Sequence, residues 1–311
     1  MGNLGEQGFI TVSNAPTYPV DGQLDMTTVR ESGGAQQSIS LGEALWGWVH
    51  PDVAVVPRRA SYAENVTAEQ ARTQSRRSFA SSQEIALGAV LRILEIDFTE
   101  KVFVVDVIAD RPAAKFLKSD DQILLVNGVA VDSIGKTIAE VRKTTPGNSA
   151  NLVIARAGDE LTFDIPTVPA PDLPTAGSIG AFLTSEIESE VSATFADQRV
   201  GGPSAGLVFA LAIYDRLTPG ELAAGKHIAV TGTITTTGEV GSIGGIRQKM
   251  IGAKNAGATI FLLPAENCAE AVKRIPSGLN VIPVRTLSEA IKVLQGLNSD
   301  ASGRTPTCTA P

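Results

Sequence analysis

Two folded domains in series, a β-rich one followed by an α/β one, are what this sequence predicts, an α+β / α/β multidomain chain. Three observations carry that reading. The length of 311 residues is about two domains at roughly 150 residues each. Residues 101–168 string together short β-branched runs broken by turn residues. From residue 246 onward, helical and strand patterns alternate, the mark of an α/β layer.

Composition narrows the function classes. Hydrophobic residues make up 43% and charged residues 19%, an ordinary globular balance. A net charge of −7 lacks the basic field that nucleic acid demands. Two cysteines, Cys268 and Cys308, exclude a disulfide scaffold and a Cys-rich zinc site. Two histidines, His50 and His227, leave little room for a His-ligated metal or a charge-relay triad, so neither metal nor cofactor is expected. The most apolar stretch, Leu207–Tyr214, falls far short of the ~18 residues that span a bilayer. Met1-Gly2-Asn3-Leu4 opens no basic-then-apolar leader.

Along the chain, residues 1–95 read as an N-terminal extension packing on the other domains. Phe9–Val12 is a candidate strand. Leu41–Val49 carries both tryptophans, Trp46 and Trp48, expected as packing anchors. Residues 62–92 read as a helix whose Arg72, Arg76 and Arg77 form a solvated face. The β-rich domain spans 96–168. Val102–Ile108 is a largely buried strand, broken only by Asp106. Arg111-Pro112-Ala113-Ala114 starts a short helix with Pro in its first turn. Asp121 to Gly128 is a strand ending in an Asn-Gly turn. Ile134, Ile138 and Val141 recur at helical spacing. Residues 151–156 and 161–168 pair as a hairpin around Gly158.

This layout resembles a PDZ domain of the bacterial protease-associated kind. The resemblance implies peptide capture by strand addition. It places the Gly-rich loop that holds a peptide C-terminus ahead of Val102, yet Asp97–Lys101 contains no glycine.

Three prolines within 168–174 mark a linker over 169–177, since proline cannot sit in a core strand. The α/β domain is then expected over 178–297, with helices at 246–257, 267–275 and 287–295 and strands at 259–263 and 280–284. Thr286 and Glu289 make a capping box for the last helix. Residues 298–311, rich in Ser, Thr and Pro, read as a disordered tail.

The chemistry gathers on two segments. Gly201-Gly202-Pro203-Ser204-Ala205-Gly206 opens an apolar helix. Glycine permits the sharp entry, and proline is tolerated where its missing N–H has no partner anyway. Ser204 therefore stands beside free amides at the positive end of a helix, as a nucleophile near an oxyanion site or simply as an N-cap. The G-x-S-x-G spacing also fits a hydrolase elbow, but the only downstream histidine, His227, begins a strand and reads as structural. A serine without histidine needs another base, and a desolvated lysine serves. On the helix starting at Ile246, helical phase puts Lys249 on the stripe of Ile246, Met250 and Ala253, while Lys254 falls at its edge.

Through these residues, Val200 to Leu294 resembles the proteolytic domain of Lon-type Ser/Lys endopeptidases. The matching segments are Gly202–Gly206, Ala229–Ile234, Gly238–Lys249 and Ala256–Pro264. The resemblance implies Ser204 as nucleophile, Lys249 as general base, Thr231 holding the lysine amine, Gly202 and Pro203 in the nucleophile turn, and the amides of Ser204 and Ala205 as the oxyanion hole. Family members carry an acidic residue where Gly201 stands and a Glu where Thr233 stands.

Gly135-Lys136-Thr137 mimics the end of a phosphate loop, but its earlier glycine position holds Ala130, so no nucleotide motor is expected. Ser133-x-x-Lys136 lacks the partner motifs of penicilloyl serines. The reading is an ATP-independent serine endopeptidase of polypeptide substrates, with a PDZ-like domain for capture or gating. Its alternative is a peptide-binding scaffold with a degenerate protease fold. By resemblance the protein is tethered outside the cytoplasm by a membrane helix and assembles into a homo-oligomer, up to a hexameric ring. A Cys268–Cys308 disulfide pinning the tail is left open.

Overall fold

The computed structural model describes residues 2–3, 9–50, 52–62, 67–171, 173–196, 200–298 and 306–308. The chain divides into two compact units. One comprises Met1–Val90, Val191–Ile234 and Gly238–Pro311; the other comprises Leu91–Glu190 with Thr235–Thr237.

The N-terminal segment contributes strands β1 (Gly2–Asn3), β2 (Ile10–Ser13) and β3 (Gln23–Met26). Helices α1 (Leu41–Val49), α2 (Arg58–Ser61) and α3 (Ala68–Ile93) follow. Ser40 caps α1 through a capping box with Glu43. The tryptophans do not anchor this helix: Trp46 is 55% and Trp48 71% exposed. Its buried residue is Gly47, where a Cβ would meet Val55 Cγ2 at 2.7 Å. The helix therefore packs through its glycine and turns its indoles outward, with Trp46 stacked on His50.

The second unit runs through β4 (Thr99–Val107), a 3-10 turn (Pro112–Lys115), β5 (Gln122–Val126), β6 (Val129–Ala130), α4 (Ile134–Arg142), β7 (Ser149–Arg156) and β8 (Asp159–Pro166). Both hairpin turns follow the expected chemistry. Asn127 and Gly128 have φ of 51° and 77°, and Ala157 and Gly158 have φ of 51° and 95°, the positive pair that a tight hairpin needs. Ser133 caps α4 by accepting the Lys136 N–H. Ile138, expected on its core face, is 41% exposed.

The proline-rich stretch is bracketed by a two-residue pairing of β9 (Val168–Pro169) with β10 (Gly177–Ser178). The next strand, β11 (Ala181–Glu188), pairs antiparallel with β4 along its whole length. It forms one end of the sheet β11-β4-β5-β7-β8. Residues 178–190, expected to open the α/β domain, therefore close the β-rich one instead.

Back in the first unit come β12 (Ser192–Phe195), α5 (Gly206–Leu217), β13 (His227–Val230), the small hairpin β14 (Thr233–Ile234) and β15 (Val240–Gly241), α6 (Ile246–Asn255), β16 (Ile260–Pro264), α7 (Cys268–Ala271), β17 (Asn280–Val284) and α8 (Leu287–Asn298). The sheet order is β1-β3-β13-β16-β17. β3, β13, β16 and β17 run parallel, with Leu24 beside Ile228 and Phe261 beside Val281. The N-terminal segment is thus not a mere extension: β3 is an inner strand of this sheet. Helix α5 is buried from Gly206 to Ile213, as a helix apolar on every side must be, and its Phe209 meets Phe79 and Phe195.

Of the expected disordered tail, residues 299–305 and 309–311 lie outside the described residues. Asn298 ends α8, and Cys308 is disulfide-bonded to Cys268.

Candidate active site

The carboxyl ends of the parallel strands β3 and β13 meet the starts of α5 and α6, the position where open α/β sheets place their ligands. A cleft of about 470 Å³ opens there, lined by residues that include Met26–Arg30, Gly201, Gly202, Ser204, Ala205, Gly244 and Lys249.

Ser204 sits one residue ahead of the helix cap. The N-cap of α5 is Ala205, with no side-chain capping bond, so the Ser204 hydroxyl is not spent on the helix end. Gly202, at φ 88°, takes the left-handed turn that brings the chain into α5. Its N–H donates to the carbonyl of Ser75 on α3 at 2.8 Å, and the Gly232 N–H donates to the Ser204 carbonyl at 3.0 Å. The amides of Ser204 and Ala205 have no backbone acceptor among the described residues. Gly201 has a steric reason to lack a side chain, because a Cβ there would run into Ser75.

Lys249 comes from α6, whose buried residues Ile246, Lys249, Met250 and Ala253 recur at the spacing of one helical face. At 2% exposure it does not reach out to water. Its Nζ donates to Ser204 Oγ at 2.8 Å and to Thr231 Oγ1 at 2.9 Å. Thr231, directly after β13 and fully buried, passes its own hydroxyl proton toward the Ser204 carbonyl at 3.3 Å. Burial lowers the Lys249 pKa from 10.5 to about 8, since an ammonium without water or a counter-ion is disfavoured.

Ser204, Lys249, Ala205 and Gly202 therefore line one cleft, with Pro203 in the turn between Gly202 and Ser204 and Thr231 buried behind it against the lysine amine. Lys254 lies apart, directed to the Gly278 carbonyl, and His227 is bonded to Asp25. The cleft wall from Thr27 to Arg30 was not legible in the sequence. Its one signal is Gln23–Met26, too short and too polar to stand out.

Residues 196–296 match the model of the Lon protease (S16) C-terminal proteolytic domain, and residues 73–167 match that of the PDZ domain. The chain thus carries a PDZ-like domain and a Lon-type C-terminal domain. It is similar to the Lon protease of Trichlorobacter lovleyi, 28% identical over 192 residues, which is 58% of this chain and 23% of that protein. It is 26% identical over 314 residues to the Lon protease of Brucella abortus, covering 93% of this chain and 38% of that one. Among solved structures, the PDZ domain of an SdrC-like protein from Listeria monocytogenes is 24% identical with a TM-score of 0.24, covering 26% of this chain and 85% of that chain. The chain spans 23% or less of the length of the first curated relatives it matches. No helix among the described residues is long and apolar enough to cross a membrane.

A second feature belongs to the PDZ unit. Within it, Ile179-Gly180, with Gly180 at φ 80°, leads into β11. Arg111 packs against the Gly180 backbone so closely that a side chain there would collide with it. β11 has α4 nearby and pairs with β4 on one side, leaving its other edge without a strand among the described residues.

Proposed function

We propose that this chain is an ATP-independent serine endopeptidase that cleaves unfolded or exported polypeptides with a Ser204–Lys249 dyad. The observation that carries the reading is a lysine amine 2.8 Å from a serine hydroxyl in a buried site that holds its pKa near 8. At pH 7 about one such lysine in ten is neutral, against about three in ten thousand at an ordinary pKa. Neutral Lys249 takes the Ser204 proton as Oγ attacks the scissile carbonyl. The amides of Ser204 and Ala205 receive the oxyanion. The lysine ammonium then protonates the leaving amine, and water, activated by the same amine, releases the acyl group. Thr231 keeps the amine aimed at Oγ, and the Gly202-Pro203 turn presents it.

The PDZ domain serves as the capture or gating element: a substrate segment adds as a strand to the free edge of β11, beside α4. Architecture of this kind favours a homo-oligomer, up to a hexameric ring, tethered outside the cytoplasm, and the Cys268–Cys308 disulfide suits an oxidising compartment.

Casein digestion without nucleotide tests the reading. The wild type degrades casein, and Ser204→Ala does not, with circular dichroism unchanged. Absence of turnover in the wild type while peptides still bind would favour the peptide-binding scaffold instead.

A further inference from the structure

The lysine helix has an unusual start. Gly245 is its N-cap, in the left-handed conformation at φ 70°, and no side chain caps the helix. The approach, Gly241-Ser242-Ile243-Gly244-Gly245, holds three glycines in five residues, so its own conformational preference is weak. The Lys249 N–H bonds the Gly245 carbonyl at 3.0 Å, so any drift of this loop carries the lysine with it.

The restraint comes from elsewhere in the chain. Asn267, 7% exposed, receives the Ile243 N–H at Oδ1 at 3.0 Å and donates from Nδ2 to the Ile243 carbonyl at 2.9 Å. Glu266 Oε2 accepts the Ser242 N–H at 3.2 Å. One amide thus satisfies both backbone groups of a single residue, as a neighbouring strand would. Its own anchorage is firm: the next residue, Cys268, is cross-linked to Cys308. Cys308 and Ile243 pack on the apolar cluster that contains Ile246 and Met250.

We propose that Asn267 is a positioning residue for Lys249: by holding the Ile243 backbone from both sides, it keeps the start of α6 in place and the lysine amine in its dry seat against Ser204 and Thr231. The inference rests on the Ser204–Lys249 reading above. No counter-ion pairs with Lys249 among the described residues. The titratable and charged groups on the surrounding elements are Arg30 on the cleft wall, Asp25 on β3 and His227 on β13, bonded to each other, Asp215 and Arg216 in the last turn of α5, Arg247 and Lys254 on α6, and Glu266 at the loop, and burial is what lowers the lysine's pKa. Loosening the loop admits water to the amine and returns its pKa toward the usual range.

The test is direct titration of Lys249 by NMR of 13C-labelled lysine in the full chain carrying Ser204→Ala, with and without Asn267→Ala, alongside kcat pH profiles of Asn267→Ala with Ser204 intact. The expected result is an upward move of about one pH unit in both the lysine titration and the rising limb of kcat, which is about a tenfold loss of kcat at pH 7 recovered at high pH. Asn267→Asp keeps the acceptor and loses the donor, and should show the same direction of change. An unmoved titration and limb in a folded variant would overturn the proposal and leave the dyad intact. So would failure of both variants to fold, which makes Asn267 a folding residue only. A lysine titrating near 10.5 in the parent would instead remove the dyad reading itself.

Discussion

Asp121 in the PDZ-like unit and Lys249 in the Lon-like unit are both buried ionisable side chains, 1% and 2% exposed, and they are kept in opposite ways. Asp121 is fully partnered. Its two oxygens accept Arg156 Nε and Nη2, each at 2.7 Å, and Oδ2 also takes the Lys118 N–H. The bond to Asp121 in turn raises the Arg156 pKa. Among the described residues Lys249 meets only two hydroxyls, and burial drives its pKa down. A buried charge that serves the fold is paired. One that serves chemistry is left without a counter-ion, so that its proton comes off near working pH.

The largest expected effect tests the unpaired side of this contrast. Lys249→Ala should lower kcat for peptide cleavage by about 10⁴-fold or more, as loss of a member of a catalytic unit does. The wild-type rate should climb from pH 6 and level off above about pH 8, following the lysine pKa. A flat profile across that window would contradict a lysine base. Next comes the paired side: Asp121→Ala leaves the part-buried Arg156 without its carboxylate and should cost about 3–5 kcal/mol, read as a fall in the urea midpoint. A cost below about 1 kcal/mol would erase the contrast.

Smaller, and opposite in sign, is Lys249→Met. A lysine whose folded pKa lies below its unfolded value binds fewer protons when folded, so it costs stability below about pH 8. That cost fades as pH rises toward 10.5. The variant should therefore be more stable than the wild type by about 3 kcal/mol at pH 7, with the gap closing at pH 10 and above; thermal unfolding at the two pH values checks it. Smallest is Thr231→Val, which removes one of the two partners of the amine while keeping the β-branched shape. A kcat lower by about tenfold with KM little changed is expected.

Legibility in the sequence followed the range of the interaction. The hairpins around Asn127-Gly128 and Ala157-Gly158 were readable because a tight turn is specified by two adjacent residues. Lys249 could be placed on the inner face because one helix's phase needs only its own ten residues. The Thr286–Glu289 cap was readable too, although the Glu289 carboxylate reaches the Arg285 N–H rather than that of Thr286. What failed was non-local. β3 pairs with β13 some 200 residues away, and neither strand's composition announces the partner. β11 was assigned across the proline-rich stretch to the wrong domain because an edge strand alternates alike in either sheet. Trp46 and Trp48 were expected inside, since nothing local says that a glycine face will be the buried one.

Residue types and their spacing by themselves determined that a serine at one helix start and a lysine on another helix's inner stripe were the groups with chemistry to offer, because side-chain phase and turn geometry are local properties of the chain. Only the tertiary structure decided that the two meet at 2.8 Å, that Ser75 crowds Gly201, and that Asn267 grips the lysine's approach loop. Those contacts join segments tens to hundreds of residues apart, and packing, which removes water from the amine and sets its pKa, exists only once the whole sheet has assembled.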